Sequence, residues 1–80
     1  MDNYFFTFRN GYAILVERQK NIADAIILAK ASAIGKGYEH PKLAHVKVND
    51  KDTIYFCSTC AEEVVQPSKG EDTCYKCLGR

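Results

Sequence analysis

Cys57-Ser58-Thr59-Cys60 and Cys74-Tyr75-Lys76-Cys77 are two C-x₂-C pairs separated by Ala61 to Thr73, and they use every cysteine in the chain. Two residues between thiolates let both sulfurs of a short turn converge on one ion at about 2.3 Å, and the long intervening segment can bring the second turn round to complete a tetrahedron. The spacing predicts a single metal site formed by Cys57, Cys60, Cys74 and Cys77. Four equivalent ligands close the shell against a catalytic water and leave no spare thiol as a nucleophile. A structural ion is expected, Zn²⁺ ahead of iron.

The same residues have competing readings. A thioredoxin-like redox pair belongs at a strand-to-helix junction within a βαβ frame, and none is visible. Two disulfides need an oxidising compartment. The N-terminus has no basic flank, apolar run and small-residue cleavage site, and no apolar stretch approaches the roughly 20 residues of a membrane helix. A cytoplasmic protein without a membrane span is expected, which favours metal over disulfides. Iron stays open because four thiolates also suit it. His40 and His45 precede the cysteines, and the expectation for them is a loop residue and a solvent-facing strand residue rather than ligands.

At 80 residues the chain has room for one domain with a thin core, so a metal staple has a physical purpose. The composition, 46% hydrophobic and 26% charged, is that of a globular protein. Eleven Lys and Arg against ten Asp and Glu give a formal charge of +1. Four thiolates and one Zn²⁺ together add −2, bringing it to about −1. A near-neutral protein has little of the phosphate-neutralising charge that non-specific nucleic-acid binding requires.

The elements that must position the cysteines follow from patterning. Tyr4 to Phe8 and Tyr12 to Arg18 read as strands joined across Asn10-Gly11, a dipeptide suited to a two-residue type I′ turn. That loop sets Phe8 opposite Ala13, Phe6 opposite Leu15 and Phe5 opposite Val16. One face then carries Tyr4, Phe6, Phe8, Ala13 and Leu15, the other Phe5, Thr7, Tyr12, Ile14 and Val16. A helix is expected from Ile22 to Ile34, capped by Asn21, with Asp24 in its first turn and Gly35 and Gly37 at its end. Its core stripe is Ile22, Ala25, Ile26, Ala29 and Ala33; Ile27, Leu28 and Ile34 lie off it, so more than one side of the helix should be covered. Leu43 to Val48 reads as a third strand with Ala44, Val46 and Val48 on one side, and Thr53 to Cys57 as a fourth that runs into the first cysteine pair. The expected fold is α+β: a small ββαββ sheet-and-helix unit with a C-terminal metal lobe. Residues 1–52 form the sheet-and-helix part and 53–80 the four-cysteine lobe, packed as one compact unit.

The four cysteines with their spacer give residues 53–80 a resemblance to the zinc-ribbon family. The resemblance implies that Cys57 and Cys60 form a first knuckle, that Ala61 to Pro67 leads away as one strand of a ribbon, that Gly70 to Thr73 holds the return turn, and that Cys74 and Cys77 form a second knuckle. Knuckles of this family and of rubredoxins usually carry Gly directly after the second cysteine; Ala61 and Leu78 stand there, with Gly79 one residue late. The Pro that rubredoxins favour after the first cysteine of a pair is absent.

No catalytic constellation is present. There is no Gly-rich phosphate loop, and Glu62 and Glu63 alternate so that their carboxylates point apart. The expected function is therefore non-enzymatic: docking onto and modulating a larger protein or complex, with Phe5, Tyr12, Ile27, Leu28, Tyr75 and Lys76 as candidate partner-binding residues. Compact proteins of this kind resemble accessory or inhibitor proteins of bacteria and their phages. Nucleic-acid binding through Lys69, Lys76 and Arg80, in the manner of transcription-linked zinc ribbons, is the first alternative; a rubredoxin-like iron electron carrier is the second. A homodimer is a further way to cover the apolar helix.

Overall fold

In a computed structural model, which describes residues 1–79, five antiparallel strands form one sheet and a single long helix covers part of one face. The strands are β1 (Asp2–Phe8), β2 (Ala13–Gln19), β3 (Leu43–Val48), β4 (Asp52–Phe56) and β5 (Val64–Val65), in the order β2-β1-β3-β4-β5. The helix α1 spans Ile22–Gly35, and a single helical turn, α2 (Tyr75–Leu78), lies in the second cysteine pair. The α+β fold expected from the sequence is thus observed, with β5 as an added edge strand. Among the described residues no helix is long and apolar enough to cross a membrane.

The register of the first hairpin differs from the expected one. Phe8 N–H donates to the Tyr12 carbonyl at 2.8 Å and Gly11 N–H to the Phe8 carbonyl at 3.0 Å, so the loop has three residues, Arg9, Asn10 and Gly11. Of these only Gly11 takes a positive φ, +94°. The observed partners are Tyr4 with Val16, Phe5 with Leu15, Phe6 with Ile14 and Thr7 with Ala13. Lengthening the loop by one residue moves every β2 side chain to the opposite face. Tyr12, Ile14 and Val16 therefore join Tyr4, Phe6 and Phe8 beneath the helix, in place of Ala13 and Leu15. This register buries two β-branched residues and an aromatic ring instead of one alanine and one leucine, and that apolar area decides between the loops. Two successive left-handed residues do occur, but in the β3–β4 turn, at Asn49 (φ +50°) and Asp50 (φ +60°).

Helix α1 begins as its sequence requires. Asn21 Oδ1 accepts the Asp24 N–H at 2.9 Å, satisfying one orphan donor of the first turn. It ends with Gly37 in the left-handed region (φ +100°): Tyr38 N–H reaches back to the Ala33 carbonyl and Gly37 N–H to that of Ile34, the paired bonds of a Schellman motif. Ala25, Ala29 and Ala33 are fully buried, so the backbone of the helix lies close over β1 and β2. The core beneath consists of Tyr4, Phe6, Phe8, Val16, Leu43, Val46 and Phe56. On β3 a bulge opposite Thr7 and Phe8 gives Leu43, not Ala44, the buried position.

The other face of the sheet is open. Phe5 (45% exposed), Leu15 (51%) and Tyr55 (43%) lie there, whereas Tyr4 is buried on the helix-covered face. The register carries a direct test. Val16→Ala should cost about 2 kcal/mol of unfolding free energy, two buried methyl groups plus the cavity they leave. Leu15→Ala should cost under about 1 kcal/mol. Denaturant unfolding of the metal-loaded protein reads both, and the reverse order would support the two-residue loop.

Candidate metal centre

Strand β4 delivers the first knuckle. Its last residue, Phe56, is buried, and its carbonyl accepts Arg9 Nη2–H at 3.1 Å. One residue on, Cys57 N–H donates to the Glu63 carbonyl at 2.8 Å, continuing the β4–β5 pairing, in which Phe56 partners Val64 and Tyr55 partners Val65. The two knuckles are closed alike: Ala61 N–H donates to the Cys57 carbonyl at 2.9 Å and Leu78 N–H to the Cys74 carbonyl at 3.0 Å. A 2.7 Å bond from Ser58 N–H to the Asp72 carbonyl ties one knuckle to the other, with the Ser58 and Thr73 hydroxyls 3.3 Å apart.

This framework brings all four sulfurs within 4.8 Å of one another. A tetrahedron with metal–sulfur bonds of about 2.3 Å has sulfur–sulfur edges of about 3.8 Å. Cys60 Sγ and Cys74 Sγ lie 3.7 Å apart, matching that edge. All four cysteines are free rather than disulfide-bonded. The donor set and its spacing fit one metal ion held by Cys57, Cys60, Cys74 and Cys77. No family model, curated protein or solved structure matches the chain. The resemblance to a zinc ribbon therefore lies in the cysteine cluster. The ribbon itself is reduced to Val64–Val65, which extends the main sheet at β4, and the return segment is a 3₁₀ turn at Pro67–Lys69 ending on Gly70.

The sulfurs are electrostatically unequal. Burial pushes the Cys57 thiol up, but the backbone N–H groups of Cys74, Cys60 and Thr59 outweigh it and bring the group down to about 5. Two of those donors lie 3.3 Å (Cys74) and 3.4 Å (Thr59) from the sulfur. The backbone N–H groups of Glu62 and Glu63 hold Cys60 below its ordinary value. The Cys74 sulfur, then burial and the other two sulfurs, push Cys77 up to about 12. Crowded thiolates repel one another, and a cation is the group that lets all four ionise together.

Ala61 occupies the position where zinc-ribbon knuckles usually carry glycine, and it takes the glycine conformation, φ +58°. Its methyl group is buried. The chain thus keeps the turn at the cost of a left-handed alanine, about 1–2 kcal/mol, partly offset by burying the methyl. At the second knuckle the left-handed residue is Gly79 (φ +77°), which caps α2 one residue later.

The remaining candidates are dispersed. His40 is an exposed loop residue, and His45 lies on β3 with its ring 5.9 Å from that of Tyr55; the described four-residue cluster contains neither. Phe5, Ile27, Leu28 and Tyr75 are exposed. Tyr12 packs between Phe8 and Tyr38, and its hydroxyl lies 3.0 Å from Ser32 Oγ. Lys76 Nζ lies 3.1 Å from Glu63, whose hydrogen bond and charge raise the lysine pKa. Glu62 faces Lys30 of α1 at 3.8 Å, so the adjacent carboxylates take separate partners. Lys69 is exposed at the end of the 3₁₀ turn, and Arg80 lies outside the described residues. The backbone donors to Cys57 and the Asp72 bond to Ser58 carry no sequence signal, because main-chain groups make them.

Two outcomes follow from this geometry. At pH 7 the metal-free chain holds the Cys77 proton while Cys57 is ionised, so loading should release at least one proton and fewer than four, and affinity should rise with pH. Calorimetric titration with Zn²⁺ in buffers of different ionisation enthalpy counts the protons; release of none or of all four would contradict the unequal sulfurs. Ala61→Val should lose metal affinity and stability, since a β-branched residue resists φ +58°, whereas Ala61→Gly should stay within about 1 kcal/mol of wild type.

Proposed function

We propose that the chain is a non-enzymatic binding module whose four cysteines hold a structural Zn²⁺, and that it docks onto a larger protein or complex beside the metal. The observation that carries the reading is the convergence of four sulfurs within 4.8 Å, which supplies a complete tetrahedral shell from the protein alone. Zinc suits such a shell and is redox-inert, and the knuckles lack the rubredoxin-type Pro and Gly positions.

Docking is supported by what lies on the surface. Tyr75 is 72% exposed in the second knuckle and lines a depression together with Glu63, Val64, Glu71, Lys76 and Leu78. On the open sheet face Phe5 and Leu15 sit side by side across β1 and β2. Exposed aromatics with a mixed-charge rim suit a protein partner. Small size and the lack of a catalytic constellation fit an accessory or inhibitor protein of a bacterium or phage.

Elemental analysis should find one zinc per chain, and the protein should be colourless; the visible absorption of ferric thiolate would move the assignment to iron. Chelation should broaden or shift the amide signals of Cys57 to Cys77 and of Val64–Val65, with recovery on adding zinc. Unchanged signals would remove the metal from the account. Affinity capture should lose the partner on Tyr75→Asp, and equal recovery would clear the knuckle tip of a docking role.

A further inference from the structure

Asn10 and Gly11 form the exposed tip of the first hairpin, and no described atom lies within 4 Å of where a Gly11 Cβ would sit. Tyr12 N–H donates to Asn10 Oδ1 at 3.0 Å. This bond runs from residue 10 to residue 12, so it folds the Asn10 carboxamide back over the Gly11 peptide unit. The same donor polarises the carboxamide carbonyl and stabilises negative charge that builds on its oxygen. The other asparagines lack this combination. Asn3 Oδ1 accepts from the Arg18 N–H, Asn21 Oδ1 from that of Asp24 and Asn49 Oδ1 from that of Asn3. Each is followed by a residue with a bulky or charged side chain, Tyr4, Ile22 or Asp50.

We propose that Asn10 is a self-modification site, where the chain's own backbone and water convert asparagine to aspartate and isoaspartate, and that the product loosens the metal lobe through Arg9. In the first step the Gly11 nitrogen forms a bond to Asn10 Cγ, the Cγ–Nδ2 bond breaks, and Nδ2 leaves as ammonia with the proton that Gly11 gives up. Water then opens the five-membered imide at one of its two carbonyls. Opening at Cγ gives aspartate; opening at the main-chain carbonyl gives isoaspartate, whose backbone runs on through Cβ and Cγ. One carboxamide and one water become one carboxylic acid and one ammonia, with no oxidant or reductant. Gly11 N–H donates to the Phe8 carbonyl at 3.0 Å, so the tip must open locally before its nitrogen attacks. An exposed hairpin tip is where such opening costs least.

Arg9 gives the reaction its consequence. Its backbone N–H is fixed to the Lys42 carbonyl at 2.8 Å, and its Nη2–H donates at 3.1 Å to the Phe56 carbonyl. That carbonyl belongs to the same peptide unit as the Cys57 N–H, which is paired to Glu63 on the other side. A carboxylate created at residue 10 stands next to the guanidinium, and an ion pair competes with a bond to a neutral carbonyl. Drawing Arg9 away leaves the peptide ahead of the first metal ligand held from one side only. The conversion is independent of the metal; its effect on the lobe rests on the structural-metal reading above.

Incubation of the metal-loaded full chain in heavy-oxygen water at neutral pH, followed by peptide mapping, tests the proposal. Asn10 should convert over days, each product taking up one heavy oxygen, roughly tenfold faster than Asn3, Asn21 or Asn49. Asn10→Gln, whose longer side chain would have to close a six-membered ring, should suppress the conversion. Converted protein, separated by its added negative charge, should lose metal to a chelator severalfold faster than fresh protein, and hydrogen exchange at the Cys57 N–H should quicken alike. Arg9→Gln should show both changes before any conversion. An Asn10 that survives in the folded chain and converts only in denaturant overturns the proposal. So does converted protein whose metal loss and Cys57 exchange match those of fresh protein. A chain that carries no metal fails the earlier reading and not this one, which the mapping and the Cys57 exchange still decide.

Discussion

Cys57 is where the sheet and the metal lobe become one structure. Its backbone N–H is paired to Glu63 as though β4 continued, while its sulfur accepts main-chain donors from both knuckles, and it is the one cysteine of the four that is fully buried as a residue. The strand on one side therefore has no freedom to shift without moving a metal ligand, and the knuckles have none to rotate without breaking sheet hydrogen bonds. A lobe with so few apolar side chains of its own could not fix these positions by packing. The sheet supplies the anchor, and a metal ion held by the four sulfurs would supply the cross-link between segments distant in sequence.

The same economy governs the helix side. Three alanines at the interface let α1 approach the sheet closely, so its own large side chains are left on the outside and the bulk of the core comes from β1, β3 and the end of β4. Burial at the sheet and exposure of Ile27, Leu28 and Ile34 are two results of one choice of residues. With small residues inside and large ones outside, the helix closes the core while presenting an apolar outer surface.

Local signals in the sequence were sufficient where one residue decides the geometry. The C-x₂-C spacings located the cluster, Asn21 and Asp24 located the start of the helix, Gly37 its end, and the alternation of Leu43 to Val48 gave β3 its bounds. They were insufficient where distant groups decide. Asn10-Gly11 is compatible with a two- or a three-residue loop, and the choice was made by which β2 side chains the helix could bury, a contact across the chain. The bulge that exchanges Ala44 for Leu43 depends on β1. The pairing of Val64–Val65 with β4, and so the short form of the ribbon, depends on where the knuckle releases the chain. Ala61 shows the remaining kind of difficulty: its identity argues against the left-handed turn it adopts, and neighbouring hydrogen bonds override that preference.

The strand order leaves two edges, and they are finished differently. At one end β5 is two residues long, with too few unpaired backbone groups to template another strand. At the other, β2 is seven residues long, but its pairing is broken by a bulge at the left-handed Arg18, and Glu17 and Arg18 follow its apolar part. A strand twisted out of register and charged at that point is a poor seed for cross-β stacking. A protein with apolar side chains exposed on both the helix and the sheet can therefore meet other molecules through side-chain surfaces while its edges resist growth into fibrils.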